Sequence, residues 1–247
     1  MTMLKLSLIF FSSFLLVSPS TLAFNPLRNS HQTINNEELL VTQRTVNISR
    51  EKAEQLLQEI QVLLNNEEWE LALSKAQQIT VVIPDSYVGW YLLGVIYIQL
   101  DQVDSAINSL ETAKSLDADN EDILFALGKL YYYRGLLNYE QNNVKAALFD
   151  FNKAIDIDPN LVDAYNIRGD IYLKQSQWQL ALSDFNKVLE IAPKNTTAYM
   201  GRSVVYFELK QDEKGIKDLK KAAALFLEQN DRANYEKVMD FLRAFGQ

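Results

Sequence analysis

The sequence has 247 residues, and its 24 lysine and arginine residues against 32 aspartate and glutamate residues give a net charge of −8. This acidic balance argues against binding to nucleic acids or to anionic membrane surfaces, because both favour basic patches. The absence of cysteine excludes disulfides, thiolate metal sites, cysteine nucleophiles and a lipidated N-terminal cysteine.

Residues 1–23 resemble a secretory signal peptide. Lys5 supplies a positive charge before an apolar core at residues 6–17. The small residues at 18–23 fit a cleavage site before Phe24. The apolar core is shorter than the roughly 20 residues that a membrane span needs. We therefore predict a cleaved signal and an exported protein, in the periplasm, the thylakoid lumen or the extracellular space. An uncleaved membrane anchor and a buried helix are the alternatives.

Residues 24–48 have a low density of apolar side chains, which predicts a flexible linker with a short helical segment at 37–41. His31, the single histidine of the chain, lies in this linker and has no partner there for catalysis or metal binding. Ser49 is placed to cap the N-terminus of the first regular helix, with Glu51 in its first turn.

From residue 49 onwards, apolar residues recur three and four apart in paired segments, which predicts hairpins of amphipathic helices. A small residue recurs at separations of 34, 41, 34 and 34, at Ala72, Ala106, Ala147, Ala181 and Gly215. A helix-ending position keeps the same separations, at Pro84, Ala118, Pro159, Pro193 and Leu227. One hairpin cannot bury its apolar face alone, so we predict a repeat domain of five stacked hairpins over 49–229. Their approximate bounds are 53–86, 87–120, 121–161, 162–195 and 196–229.

The third hairpin contains two competing registers for its first helix, one at Leu127 and Gly128 and the other seven residues later at Arg134 and Gly135. Seven residues are close to two helical turns, so both sets fall on nearly the same face. This spacing predicts one long helix over 122–141, about 10 Å longer than its counterparts. Its partner helix over 144–157 keeps the ordinary length.

The fifth hairpin is weaker, because Ser203 and Gly215 stand where the fourth hairpin has glycine and alanine. Residues 231–245 then form a last amphipathic segment. We predict that residues 230–247 contain a helix that caps the final apolar face of the stack.

The fourth hairpin has the most regular pattern. Its aromatic, small and helix-ending residues are Tyr165, Gly169, Tyr172, Ala181, Phe185 and Pro193. This pattern resembles the tetratricopeptide repeat, except that Arg168 stands where the family has a leucine and Val188 where it has a second alanine. The resemblance implies an all-α fold, a right-handed α-solenoid of about five helix-turn-helix hairpins with a C-terminal capping helix. It also implies a non-catalytic scaffold for protein–protein interaction.

The resemblance further implies that side chains of the first helices line a concave groove. These residues are Tyr91, Val95, Ile98, Phe125, Tyr132, Leu136, Tyr139, Asn166, Asp170, Leu173, Met200, Val204 and Phe207. Their apolar and aromatic character favours an apolar or helical segment of a partner protein. Chaperone-binding members of the family hold an acidic C-terminus with a lysine/asparagine clamp, which is missing here because Tyr91, Val95 and Tyr132 occupy such positions. The alternative is a groove filled by the protein's own chain.

The sequence contains no pattern typical of an active site, and we expect no cofactor and no metal. A serine nucleophile needs a base, and the sole histidine is badly placed for that role. Carboxylates such as Asp150 and Asp156 are expected to lie on solvated helix faces. We therefore predict an interaction scaffold in cell-envelope or membrane-complex assembly. Two rivals stay open, a membrane-anchored assembly factor whose only membrane contact is the uncleaved N-terminal segment, and a hydrolase with a carboxylate site.

Overall fold

The computed structural model describes residues 36–244, with side chains from 43 to 243, and this range is helical without any strand. The predicted signal peptide and linker residues 24–35 lie outside the described residues. The helices are α1 (Asn36–Asn65), α2 (Trp69–Val82), α3 (Tyr87–Gln99), α4 (Val103–Leu116), α5 (Glu121–Glu140), α6 (Val144–Ile157), α7 (Val162–Lys174), α8 (Trp178–Ile191), α9 (Thr196–Glu208), α10 (Asp212–Glu228) and α11 (Arg232–Ala244).

The chain divides into two compact units, residues 1–127 and residues 128–247. Within unit 1, α1 packs against α2 and α3 against α4, and α2 also contacts α3. Within unit 2, α7 pairs with α8 and α9 with α10, and α8 contacts α9. The final helix α11 packs on α10 and buries Val238 and Leu242. The predicted fold class, an all-α solenoid of helical hairpins with a C-terminal capping helix, is confirmed.

The first helix begins earlier than the sequence predicted. Residues 36–48, assigned to a flexible linker with a helix start at Ser49, belong to α1. The side chains at 43–50 are largely exposed, whereas Ala53 and Ile60 are buried in the core of unit 1. Neither proline nor glycine interrupts the sequence here, so a helix anchored by that core extends toward the N-terminus without meeting a strong helix breaker.

Each hairpin turns through one residue with a left-handed backbone. These residues, with φ between 58° and 62°, are Glu67, Asp101, Asn142, Ser176 and Lys210. Along the chain these residues are 34, 41, 34 and 34 apart, the same separations as between the recurring small residues. The N–H of the next residue donates to the carbonyl oxygen five residues earlier, as from Gln177 to Tyr172 at 2.8 Å. This is the Schellman ending of a helix, and its recurrence gives every hairpin the same turn.

The long helix predicted in the third hairpin is confirmed as α5, which has 20 residues. The later of its two registers forms the hairpin. A Cβ atom on Gly135 would lie 2.9 Å from the ring of Phe151, and one on Gly169 would lie 3.0 Å from Phe185. Residues 128–140 therefore pack on α6 as α7 packs on α8. The additional two turns of α5 are its N-terminal ones.

Each hairpin of unit 2 is joined by an ion pair between a partly buried arginine of its first helix and a buried aspartate 16 residues later in its second helix. The pairs are Arg134–Asp150, Arg168–Asp184 and Arg202–Asp218, each with a shortest N–O distance of 2.7 Å. In each pair Nε and Nη2 of the arginine donate to the two carboxylate oxygens. The expectation that Asp150 is solvated is wrong, because its side chain is 2% exposed.

The same arginines also bind the preceding hairpin. Nη1 of Arg168 donates to Oδ1 of Asn152 at 2.6 Å, and Nη1 of Arg202 donates to Oδ1 of Asn186 at 2.7 Å. Tyrosine rings three residues before and four residues after each of these arginines lie 5.3–5.9 Å from the guanidinium carbon. The hydrogen bond to Asp218 raises the pKa of Arg202, so the cation is held in its charged form. One arginine thus fixes three helices.

Helix α3 of unit 1 is buried on every side. Residues 91–96 are all buried, and six consecutive residues span more than one helical turn. Tyr91 is 7% exposed. Burial, followed by the nearby charge of Asp122, raises the pKa of Tyr91 from 10 to about 12.

We expect the Arg168–Asp184 pair to show strong coupling in a double-mutant cycle. Asp184→Leu or Arg168→Leu alone should lower the free energy of unfolding by about 3–5 kcal/mol, because each leaves a buried partner without its counter-charge. The double variant should lose less than either single variant. Urea unfolding at pH 7 measures all four proteins.

The exposed pair Arg50–Glu54, with side chains 51% and 36% exposed, supplies the control. Removal of either of its partners should change the free energy of unfolding by less than about 1 kcal/mol. Additive losses at Arg168 and Asp184 would contradict the proposed role of the pair.

We also expect the stability of the protein to depend on the ionisation of Tyr91. Its folded-state pKa lies above its unfolded value, so its contribution is fully present below pH 10 and is lost as the pH rises to about 12. A shift of this size corresponds to about 2–3 kcal/mol. Tyr91→Phe should therefore be nearly neutral at pH 7 and should lose less stability than the wild type between pH 10 and 12. Equal losses in urea titrations over this range would disprove the assignment.

Candidate functional site

The predicted groove residues of unit 1 do not form an open surface. Tyr91, Val95 and Ile98 are 3–7% exposed and belong to the buried helix α3. The prediction that they line a groove is corrected, since a helix that is apolar on all sides is favoured inside a core rather than at a surface. Phe125 on α5 is 58% exposed.

The predicted residues of unit 2 lie at matching positions of three first helices. Helices α5 and α7 each contribute side chains with spacing i, i+4 and i+7, and α9 contributes those at i and i+4; such positions share one helix face. We call this set the first-helix face; it consists of Tyr132, Leu136, Tyr139, Asn166, Asp170, Leu173, Met200 and Val204. The structure brings α5 and α7 together here, because Nζ of Lys174 donates to Oη of Tyr139 at 2.5 Å. Helices α7 and α9 are also in contact.

Much of the first-helix face is apolar and accessible. Met200 and Val204 are 39% and 44% exposed. Tyr132, Leu136 and Tyr139 are half-buried and pack against the core of unit 2. The ring of Tyr132 lies 6.1 Å from that of Phe151. One side of each tyrosine thus packs on the core of unit 2, and the rest of the side chain remains accessible.

Phe207, also predicted to line the groove, is engaged by the end of the chain. Its ring centroid lies 5.8 Å from that of Phe241 on α11. The ring also fills the space above Gly215, where a Cβ atom would lie 2.8 Å away. The C-terminal helix therefore contacts one of the predicted groove residues.

The central helix of the face carries polar groups that accept hydrogen bonds. Asn166 is 8% exposed, and its buried Oδ1 has no hydrogen-bond partner among the described residues. Burial raises the pKa of Asp170, and the nearby Lys174 opposes this shift. Burial and then the charge of Asp163 raise the pKa of the Tyr132 phenol. Asp163 was not among the predicted site residues, although it lies three residues before Asn166 and thus on the same helix side.

Lys174 is a cation at the edge of the face. Its ammonium group bonds to the hydroxyl of Tyr139 and lies 5.2 Å from the centre of that ring. The ammonium group of Lys174 therefore points toward α5. Lys174 itself lies four residues after Asp170 on α7.

Among the described side chains, residues 43–243, there is no group of three or more histidine, cysteine, aspartate or glutamate residues that could hold a metal ion. No helix in that range is both long enough and apolar enough to span a membrane.

Comparison with protein families gives matches in the middle of the chain. Residues 162–195 match the model described as tetratricopeptide repeat. Residues 94–135 and 135–176 match a second model, described as TPR repeat. A comparison with curated proteins gave no significant match.

Several solved structures are similar to the chain. The crystal structure of MamA protein has 20% identity and a TM-score of 0.49, with 73% of this chain and 95% of MamA covered. YrrB, described as a TPR protein with an unusual peptide-binding site, has 22% identity and a TM-score of 0.47, with coverage of 73% and 88%. The first TPR of Spaghetti (RPAP3), bound to an HSP90 peptide, has 22% identity and a TM-score of 0.43, with coverage of 49% and 94%.

The family matches and the helical repeat agree. The matched segments lie where the turns and the small residues recur at intervals of 41 and 34 residues and the ion pairs at an interval of 34 residues. The fold defined by this repeat generally serves as a non-catalytic scaffold for interactions between proteins. The chain contains tetratricopeptide repeats within residues 94–195.

Proposed function

We propose that the protein is an interaction scaffold that holds an apolar or helical segment of a partner protein on the first-helix face of unit 2. The observation that carries this proposal is the row of accessible apolar and aromatic side chains on three neighbouring first helices. Tyrosine and methionine are enriched in protein interfaces because they offer a large contact area. Burial of this area contributes about 25 cal/mol per Å².

The ion pairs of unit 2 support this function by fixing the positions of the helices. Arg168 and Arg202 lie on the same helices as Asn166 and Met200, and each binds the second helix of its own hairpin and that of the preceding hairpin. A face held in this way loses little conformational entropy when a partner binds. The ion pairs therefore preorganise the first-helix face for binding.

The hydrolase alternative is not favoured by the placement of the carboxylates. Asp150, Asp184 and Asp218 are paired with arginines and buried. Asp163 and Asp170 lie on one helix, about 10 Å apart along its axis. A carboxylate pair for hydrolysis has to converge on one bond from two sides of a cleft. These residues support binding better than catalysis.

We also propose that the scaffold acts outside the cytoplasm, in the assembly of an envelope or membrane complex. The support is the signal-like pattern of residues 1–23. In the rival form the segment is retained as a membrane anchor.

We expect polar substitutions on the face to weaken partner binding without unfolding the protein. Met200→Gln with Val204→Thr should lower the affinity for the purified partner about tenfold, because two partly exposed apolar contacts are lost. The partner is first obtained by affinity capture in the native compartment, and its dissociation constant is then measured by calorimetry.

The matched control is Phe149→Gln with Leu180→Gln, since these apolar residues of second helices are 53% and 49% exposed. The control variant should bind like the wild type. If the control loses affinity and Met200→Gln with Val204→Thr does not, the binding surface lies on the second helices instead.

We expect the exported protein to begin at Phe24, because the small-residue segment before it fits signal cleavage. N-terminal sequencing of the protein purified from its compartment tests this. A mature protein that still begins at Met1 and resists extraction from membranes by carbonate would instead support the anchored form.

A further inference from the structure

Helix α7 carries a row of three residues with hydrogen-bond acceptors, and two of them, Asn166 and Asp170, belong to the first-helix face. Asp163, Asn166 and Asp170 are three and four residues apart and therefore lie along one side of the helix. At 1.5 Å per residue the row extends over about 10 Å. Apolar side chains of the face, on α5 and α9, flank it.

Asn166 supplies the observation that points to a ligand. The residue is more than nine-tenths buried, at 8% exposed. Its Oδ1 is the one buried side-chain nitrogen or oxygen atom without a hydrogen-bond partner in the described part of the chain. Native proteins rarely bury a polar atom without a partner, and such atoms often belong to functional sites. A donor from outside the chain would satisfy this oxygen.

The two carboxylates of the row have no hydrogen-bonded cation among the described residues. Lys174 acts on Asp170 only through its charge, because its ammonium group bonds to Tyr139. Asp163 lies close enough to Tyr132 to raise the pKa of that phenol. Burial opposes the ionisation of Asp170 more strongly than Lys174 supports it. The row thus carries two carboxylates, and Lys174 at the edge of the face opposes that of Asp170 only through its charge.

We propose that the row formed by Asp163, Asn166 and Asp170 receives a lysine or arginine side chain of the bound segment. The inference rests on the proposed function and specifies its partner as an apolar segment that carries a basic residue. Lysine and arginine carry only donors, so one such side chain can bond to the Asn166 oxygen and neutralise a carboxylate. An acidic segment would be repelled by both carboxylates.

Peptide selection on the full chain tests this proposal. A displayed library of random 12-residue peptides is selected on the wild type and on Asp163→Asn with Asp170→Asn. The control, Asp119→Asn with Asp156→Asn, has the same net charge but is changed at exposed positions outside the face. Peptides selected on the wild type and on the control should be apolar and enriched in lysine or arginine. This enrichment should be absent from the peptides selected on Asp163→Asn with Asp170→Asn.

Synthetic peptides then give the size of the effect. The best peptide should bind about tenfold to a hundredfold more weakly when its basic residue is replaced by norleucine, since a charge-assisted hydrogen bond is lost. Replacement by glutamate should weaken binding further. This comparison uses the wild-type protein and does not depend on the folding of any variant.

The results of these experiments distinguish failure of the proposed function from failure of the proposed contact with a basic residue. Failure to select any peptide would overturn both the proposed function and this inference. Apolar peptides without enriched basic residues, or equal affinity of the lysine and norleucine peptides, would overturn the inference alone. If the face instead holds a second copy of the chain, a dimer that Asp163→Asn with Asp170→Asn dissociates would overturn it as well. That variant should remain folded at pH 7, because burial disfavours the ionised form of Asp170.

Discussion

The buried bidentate pair between an arginine and an aspartate organises unit 2. A buried charge is tolerated only with its counter-charge in good geometry, so a shift of one helix along another would leave both groups unpaired. Because Arg168 also binds Asn152 of the preceding hairpin, the same constraint connects neighbouring repeats. Hydrophobic packing alone tolerates a small shift between two helices more easily than a bidentate arginine–carboxylate pair does. The 34-residue spacing of unit 2 is therefore fixed by polar contacts as well as by core volume.

In the hairpin of α3 and α4 in unit 1, uncharged buried residues take the place of the ion pair. Leu93 and Ser109 stand at the positions that correspond to Arg168 and Asp184, and both are buried. The helix that carries Leu93 is surrounded on all sides, and the residues expected to bind a partner are part of the core. The two kinds of hairpin thus have different uses. The apolar hairpin builds a core, whereas the charge-paired hairpins leave their first helices partly uncovered.

The regular features of the fold follow from sequence patterns, and the departures follow from long-range contacts. The spacing of small residues predicts the hairpins and the long helix α5, because both depend on helical periodicity. The start of α1 was missed because residues 43–50, which are largely exposed, carry few apolar side chains. The left-handed turn residues were missed because none is glycine. The burial of Tyr91 depends on neighbours far along the chain. The spacing of Arg168 and Asp184, repeated at Arg202 and Asp218, was the available signal for the ion pairs.

The central claim, that the first-helix face of unit 2 holds a partner, is tested most directly by site-specific photo-crosslinking in the native compartment. A photoreactive amino acid replaces Val204 on the face in one protein and Leu180 on a second helix in another; these residues are 44% and 49% exposed. We expect a covalent adduct with a partner protein from position 204, at an apolar segment next to a basic residue, and no adduct from position 180. Adducts from position 180 alone would contradict it.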